Sequence, residues 1–121
     1  MRLLGYILWL NGVSEVCQTC RSSEDELSAE TVNRLLNDIL NWNLIEVEGA
    51  KQLERHFKFV NFQQALAFTN KVAALAEEAN HHPMIITEWG RVTVRWWTHS
   101  INGLDRHDFV CAAKTDTIFK K

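Results

Sequence analysis

Three histidines in the second half of the chain are the residue type needed for proton transfer. His81 and His82 stand side by side in "NHHPMIITEW", next to the only proline, and His99 follows "VTVRWWT". An imidazole gains and loses a proton near neutral pH, so these side chains suit general acid and base catalysis. We expect a helix end and a strand end to bring the three rings together around one concave site.

Each of these residues also has a structural interpretation. A lone histidine is more often a surface or structural residue than a catalyst, and we assign His56 and His107 to that class. For the adjacent pair, the alternative is a protonated imidazole stabilised by the dipole at a helix C-terminus. Glu77 stands one helical turn before His81, close enough to hydrogen-bond an imidazole, and its alternative is a solvated helix carboxylate.

A zinc site is the competing use of these side chains, because imidazole and thiolate are the preferred ligands of zinc. The spacing argues against it. Adjacent histidines rarely bind one ion, and Cys17 and Cys20 in "CQTC" are far away in the chain, with no second pair to complete a structural site. We therefore expect no metal and no other cofactor. The odd number of cysteines is not a disulfide framework and indicates a reducing, cytoplasmic setting.

Composition and charge describe one ordinary domain. The chain has 121 residues, of which 46% are hydrophobic and 23% charged, as is typical of a globular domain with a single core. A formal net charge of −2 gives no broad attraction to nucleic acid or to an anionic membrane, so neither partner is expected. The apolar start "MRLLGYILWL" is too short to span a bilayer and lacks a cleavage signal. We interpret residues 1–26 as an N-terminal extension and residues 27–121 as the domain.

Apolar spacing predicts three helices. The first lies in "SAETVNRLLNDILNW", with Ser28 as its N-cap, and the last in "GLDRHDFVCAAKTDTIF", with Asp105 as its N-cap. The middle helix, "NFQQALAFTNKVAALAEEAN", is expected to end at His82, because the residue before Pro83 is pushed out of the helical region. The predicted buried face of this middle helix is Phe62, Ala65, Leu66, Thr69, Val72, Leu75, Ala76 and Ala79.

Two hairpins complete the predicted order of elements. One turns at "EGAK", between "NLIEV" and "LERHFKFV", and the other turns at Gly90, between "MIITEW" and "RVTVRWWTH". The order α-β-β-α-β-β-α predicts an α+β domain, in which three helices pack on one face of a four-stranded antiparallel sheet.

The run "EEANHHPMIITEWGRVTVRWWTHSINGLDRHDF" resembles the pterin-4a-carbinolamine dehydratase family. The family pattern sets an acidic or similar residue, three intervening positions and a His-His-Pro triplet, followed by an aromatic residue, a further histidine and an aspartate. Several spaced constraints met together are more specific than any single short motif. The resemblance covers residues 27–119. The positions that fill the pattern are Glu77, His81, His82, Pro83, Trp89, His99 and Asp108.

The resemblance implies a dehydratase that removes water from a 4a-hydroxytetrahydropterin, the product of aromatic amino acid hydroxylases. The reaction yields the quinonoid dihydropterin and supports recycling of the tetrahydropterin. Carried over to this chain, the acid and the base would be His81 and His99, with their individual assignment left open. The implied substrate-binding residues are His82, Glu77, Trp42 and Pro83.

Three positions qualify this carry-over. Trp42 matches an aromatic residue that forms a wall of the pocket in the family, but core packing is an equal alternative. Asp108 belongs to the pattern, yet its place three residues after Asp105 is that of a first-turn carboxylate that stabilises a helix, so we give it no catalytic role. Asn80 stands where animal members of the family have an aspartate.

The strand "VTVRWWTH" predicts self-association. Large side chains on both faces of a strand suggest contact with another subunit, so we expect a homodimer or a homotetramer. The resemblance adds an aromatic amino acid hydroxylase as a candidate partner. A noncatalytic pterin-binding or regulatory module of the same fold is the alternative function. The face predicted to be exposed is Arg91, Thr93, Arg95 and Trp97, and the opposite face is Val92, Val94 and Trp96.

Overall fold

A computed structural model of the chain describes residues 26–120. It confirms the predicted α+β class and the order α-β-β-α-β-β-α. Cys17, Cys20 and all but the last residue of the predicted N-terminal extension lie outside the described residues. The elements are α1 (Ala29–Leu36), β1 (Asn43–Val47), β2 (Ala50–Lys58), α2 (Phe62–Ala79), β3 (Met84–Glu88), β4 (Arg91–Trp96) and α3 (Arg106–Lys120).

The four strands form one antiparallel sheet in the order β1-β2-β4-β3. In the first hairpin Val47 pairs with Ala50, which leaves a two-residue turn. Both turn residues, Glu48 and Gly49, have positive φ angles of 50° and 84°, as in the type I′ turn that matches the twist of the strands. The two predicted hairpins are therefore confirmed, with β2 and β4 as the central pair.

The buried face predicted for β4 is confirmed, whereas on the face predicted to be exposed Arg91 is exposed and Arg95 and Trp97 are half-buried. Val92, Val94 and Trp96 are fully buried against the helices. Thr93 was expected on the exposed face but is only 3% exposed. It pairs with His56 of β2, and the two side chains are in contact, with His56 Nδ1 2.8 Å from Thr93 Oγ1.

Helix α2 supplies much of the core, but the predicted face is partly wrong. Its buried residues follow helical spacing and include Phe68, which the prediction omitted. Phe62 and Leu66 were expected to be buried but are 47% and 44% exposed. Phe68 is buried because its ring packs against other rings of the core, with centroid distances of 4.7 Å to Phe57 and 5.2 Å to Phe59. The buried residues of α2 are Ala65, Phe68, Val72, Leu75 and Ala76.

Helix α2 ends at Ala79, three residues earlier than predicted. Asn80 adopts the left-handed conformation (φ 53°, ψ 43°), which asparagine tolerates better than most residues. The amide of Asn80 donates to the carbonyl of Glu77 (3.3 Å), and the amide of His81 donates to that of Ala76 (3.1 Å). This pair of hydrogen bonds is a Schellman motif. The single proline therefore follows the helix end and does not cause it.

The other two helices begin as predicted. The Ser28 side chain caps α1 by accepting a hydrogen bond from the amide of Thr31 (3.2 Å), but α1 ends at Leu36, well before the predicted end. Asp105 precedes α3, and its carboxylate accepts a hydrogen bond from the amide of His107 (3.4 Å). Within residues 26–120, no helix combines the length and the apolar character needed to cross a membrane.

Candidate active site

The three predicted histidines border one open pocket of about 270 Å³. Two of them lie at the Schellman motif that ends α2, and the third lies in the turn after β4. The structure therefore brings His81, His82 and His99 together, although the first and last are 18 positions apart in the chain. The residues that line the pocket are Asn80, His81, His82, Thr98, His99 and Ser100.

His81 is held by a carboxylate that comes from α3. Its Nε2 atom lies 2.5 Å from Oδ1 of Asp108, whose side chain is completely buried. The other oxygen of Asp108 accepts hydrogen bonds from the hydroxyl of Thr98 (2.7 Å) and from the amide of Asp105 (3.0 Å). An ionised carboxylate only accepts hydrogen bonds, so this contact places a proton on Nε2 of His81 and leaves Nδ1 available to a ligand.

Two further rings fix the plane of the His81 imidazole. The Trp96 indole lies nearly parallel to it, with centroids 5.6 Å apart and an angle of 10°. The imidazole of His107 stacks on His81 at 4.5 Å and 23°. His107 is buried, in keeping with the structural class predicted for it, but its ring borders a predicted catalytic residue. His81 itself keeps only 12% of its side chain exposed.

His82 is held differently, by the exposed carboxylate of Glu77. Its Nε2 atom lies 2.7 Å from Oε2 of Glu77, and the two side chains are 58% and 78% exposed. The prediction that Glu77 reaches an imidazole is therefore met by His82, the second member of the pair. His81 turns instead toward α3, where its carboxylate partner is Asp108.

His99 lies in a short loop that follows β4 and is closed by a β-bridge. Thr98 and Gly103 form an isolated β-bridge, with hydrogen bonds of 2.8 and 3.3 Å between their backbones. Inside this loop, the amide of Asn102 donates to the carbonyl of His99 (3.2 Å). The His99 ring stacks face to face on the indole of Trp97, with centroids 4.3 Å apart and an angle of 7°.

Three predicted substrate-binding residues do not line the pocket: Glu77, Trp42 and Pro83. Trp42 is only 4% exposed, and its indole donates a hydrogen bond to Oδ1 of Asp116 (2.8 Å) and meets the Phe57 ring edge-on. This position matches the core-packing alternative. Arg55 also donates to Asp116. Burial raises the pKa of the Asp116 carboxyl, and the contacts with Trp42 and Arg55 oppose that shift. Pro83 follows the histidine pair, half-buried and outside the lining.

Residues 26–120 contain no group of three or more histidine, cysteine, aspartate or glutamate side chains placed to hold a metal ion. The cysteine pair considered for zinc, Cys17 and Cys20, lies outside that range. Within the described part of the chain, the contacts that orient the three pocket histidines come from two carboxylates, two indoles and the imidazole of His107.

Sequence reasoning missed Asp108, Trp96 and Trp97 as parts of the site. For Asp108 the signal was present, since the family pattern ends on this aspartate, but its place in the first turn of α3 offered a sufficient local explanation. Asp108 does stabilise the start of α3, because its carboxylate accepts a hydrogen bond from the amide of Asp105. For the two tryptophans, the alternation of side chains along β4 was the available signal, but it does not say which rings they meet.

Comparison with known proteins identifies the family. The family described as "Pterin 4 alpha carbinolamine dehydratase" matches residues 25–118. The chain belongs to this family. Two relatives carry the name "Putative pterin-4-alpha-carbinolamine dehydratase". The one from Microcystis aeruginosa is 48% identical over 87% of this chain and 90% of its own length, and the one from Marinobacter nauticus is 50% identical over 85% and 93%.

Solved structures share the fold. A crystal structure titled transcriptional coactivator/pterin dehydratase from Brucella melitensis is 33% identical, with a TM-score of 0.70, and covers 78% of this chain and 98% of its own. A pterin dehydratase-like protein described as a RuBisCO assembly factor in the alpha-carboxysome aligns with a TM-score of 0.55 over 65% of this chain and 89% of its own. At 24% identity it supports the fold alone.

Proposed function

We propose that this member of the family is a 4a-hydroxytetrahydropterin dehydratase, a lyase that acts on a pterin without a metal or another cofactor. The observation that carries the proposal is the meeting of His81, His82 and His99 at one open pocket. A bicyclic substrate that must gain one proton and lose another needs at least two groups that titrate near neutral pH, and imidazoles meet that need.

The reaction balances with two proton transfers. A protonated imidazole gives its proton to the 4a-hydroxyl, the C4a–O bond breaks, and water leaves with the bonding electrons. A neutral imidazole accepts the proton of the adjacent ring nitrogen, N5, and the electron pair of that N–H bond forms the C4a=N5 double bond of the quinonoid dihydropterin. Each transfer by a positioned group contributes about 10²- to 10⁴-fold to the rate.

The contacts around each ring support a division of roles. His81 has its Nε2 engaged by Asp108 and exchanges protons through Nδ1. His99 has both ring nitrogens open, because its ring stacks on Trp97 and makes no hydrogen bond or ion pair within the described part of the chain. These two residues form the acid and base pair. His82 binds and orients the heterocycle with the help of Glu77, which holds its ring from the solvent side.

Single alanine substitutions of His81 and His99 test this proposal. We expect each to lower kcat for dehydration of a 4a-hydroxytetrahydropterin by about 10²-fold or more, because each removes one proton-transfer group. His56→Ala is the matched control, since His56 lies on β2 and does not line the pocket. Unfolding curves for each variant separate lost chemistry from lost structure. A His81→Ala or His99→Ala variant that folds and dehydrates at the wild-type rate would refute the mechanism.

The pH profiles of the same variants assign the roles of the two histidines. The residue that acts as base must be neutral at the start of the reaction, and its partner must be protonated. The wild-type profile of kcat/KM should therefore be bell-shaped. We expect loss of the base to remove the acidic limb and loss of the acid to remove the basic limb from the residual activity.

The alternative is a noncatalytic interaction module of the same fold. Large apolar side chains remain exposed on the described surface, with Leu40 at 82%, Val60 at 70% and Trp89 at 73%, and the Brucella melitensis relative carries "transcriptional coactivator" in its title. Such a module would bind partners equally well after His81→Ala and His99→Ala and would show no wild-type turnover, so the assay above separates the two functions.

The setting proposed for the enzyme follows from its chemistry. The substrate class is what an aromatic amino acid hydroxylase releases, so we place the protein in the cytoplasm beside such an enzyme, as a step in tetrahydropterin recycling. We also propose a homodimer or homotetramer. Sedimentation of the purified protein tests the assembly, and a single species at the monomer mass would exclude it.

A further inference from the structure

The three pocket histidines differ in what orients them. His81 and His82 each contact a carboxylate, from Asp108 and Glu77. For His99, the described part of the chain shows no side-chain hydrogen bond and no ion pair, and the one ring contact of its imidazole there is with the Trp97 indole. His99 is nevertheless exposed and sits in a loop, where a side chain without a partner would sample several rotamers.

The tandem tryptophans place one indole on each side of the strand end. Successive side chains of a strand point to opposite faces of the sheet. Trp96 points into the core, where it is fully buried, donates a hydrogen bond to the hydroxyl of Thr115 (3.1 Å) and stacks on His81. Trp97 points to the other face, remains half-buried and stacks on His99.

We propose that Trp97 is a positioning residue that fixes the ring plane of His99 for proton transfer. This inference rests on the proposed dehydratase function. A carboxylate partner would occupy one ring nitrogen of His99 and set its tautomer. A parallel indole at 4.3 Å and 7° restrains the ring through its face, so both nitrogens stay open to the substrate and to water. An acid or base held in its reactive orientation avoids the entropic cost of finding it at each turnover.

The same stack tolerates both charge states of His99. The face of an indole attracts a cation, and it also packs well against a neutral aromatic ring. His99 therefore stays stacked on Trp97 as its ring alternates between imidazole and imidazolium in each catalytic cycle. Trp97 acts through His99 and needs no contact with the substrate.

The test combines Trp97→Leu, which removes the ring, with Trp97→Phe, which keeps a smaller one. An aromatic pair contributes about two- to tenfold in an equilibrium constant. We expect Trp97→Leu to lower kcat by up to about tenfold with KM within about twofold, and Trp97→Phe to restore most of the rate. Phe59→Leu is the matched control, because Phe59 is also half-buried but follows β2 at the opposite end of the sheet from Trp96. It should lower the free energy of unfolding and leave kcat unchanged.

Proton NMR of the His99 ring tests the stack directly, because the chemical shifts of its ring protons would not change if Trp97 only stabilised the fold. The stacked indole shifts the carbon-bound protons of His99 upfield, and their signals are assigned by their absence from the His99→Ala spectrum. We expect a downfield move in Trp97→Leu, a smaller one in Trp97→Phe and none in Phe59→Leu. Unchanged His99 signals in Trp97→Leu overturn the inference, as does a kcat equal to that of the Phe59→Leu control. If the wild-type protein shows no dehydration, the proposed function fails, and the NMR signals alone still decide whether Trp97 holds His99.

Discussion

The two ends of α3 present two aspartates that are used in opposite ways. Asp108, in the first turn, is completely buried and holds the imidazole of His81 at the pocket. Asp116, two turns later, is partly exposed and accepts hydrogen bonds from Trp42 and Arg55 at the edge of the core. From the sequence, Asp108 was interpreted as helix stabilisation and Trp42 as a wall of the pocket. In the structure, Trp42 packs in the core and contacts Asp116, whereas Asp108 contacts His81, one of the two proposed proton-transfer residues.

The difference shows that a carboxylate takes its role from the partners that the fold delivers. Both aspartates accept several hydrogen bonds, so counting contacts does not separate them. Asp108 faces an imidazole, a side chain of the type that exchanges protons in catalysis, whereas Asp116 faces an indole and a guanidinium, which only donate hydrogen bonds. Substitutions at the two positions should accordingly affect different measurements.

Asp108→Asn is the substitution with the largest expected effect on activity. An asparagine amide can donate to Nε2 of His81, which would shift the imidazole to the wrong tautomer for exchange through Nδ1. Changes of this kind at His–Asp pairs cost up to about 10⁴-fold in kcat in serine proteases. We expect a loss of at least about 10²-fold here, measured as kcat for dehydration.

Asp116→Asn is the matched control for that experiment, because it makes the same change two turns along the same helix. Its kcat should stay close to that of the wild type, since Asp116 does not line the pocket, while its free energy of unfolding changes. Equal losses of kcat in the two variants would remove the distinction between the two ends of α3.

The stability of the protein should depend on pH through Asp116. Burial raises the pKa of this carboxyl in the folded state, so the folded protein binds the proton more tightly than the unfolded chain. The stabilisation is therefore fully present below the unfolded pKa of about 4 and is lost as pH rises through the raised folded pKa. Urea unfolding should show the stability of the wild type relative to Asp116→Asn falling across this interval and levelling above it. A relative stability that climbs with pH would mean that Arg55 and Trp42 outweigh burial.

Glu77→Gln extends the comparison to an exposed carboxylate and should lower activity far less than Asp108→Asn. The contact between Glu77 and His82 is open to solvent, and exposed ion pairs contribute at most about 1 kcal/mol. We expect kcat/KM to change by no more than about fivefold, with the change shrinking as salt is added. Glu78→Gln, at the neighbouring exposed position, should have no effect. A loss as large as that of Asp108→Asn would show that burial does not rank these carboxylates.

The fold was largely predictable because its signals are local. Period-two alternation gave the hairpins, and helical spacing gave the middle of α2. Errors arose where two local rules competed. The proline rule set the predicted end of α2, but Asn80, which accepts a left-handed backbone, ended the helix first. Phe68 was missed because its burial depends on the rings of Phe57 in β2 and Phe59 just after it, which no helical pattern contains.

The sequence was sufficient to predict the histidines of the site but not the contacts that orient them. The histidine pair and His99 were found from their types and from the family pattern. The hydrogen bond between His81 and Asp108 joins residues 27 positions apart, and nothing in the spacing of the two shows that α3 returns to the end of α2. The stack of Trp97 on His99 depends on a loop closed by the bridge between Thr98 and Gly103, which a sequence pattern does not display.

The hydrogen bond from the His81 amide to the Ala76 carbonyl connects the site to the last turn of α2. The same residue ties its backbone to one helix and its imidazole to another, so unwinding that turn would pull the ring away from Asp108. Exchange of the His81 amide hydrogen with deuterated water therefore requires the site to open. The exchange protection of the His81 amide therefore measures how often the pocket opens in the native protein.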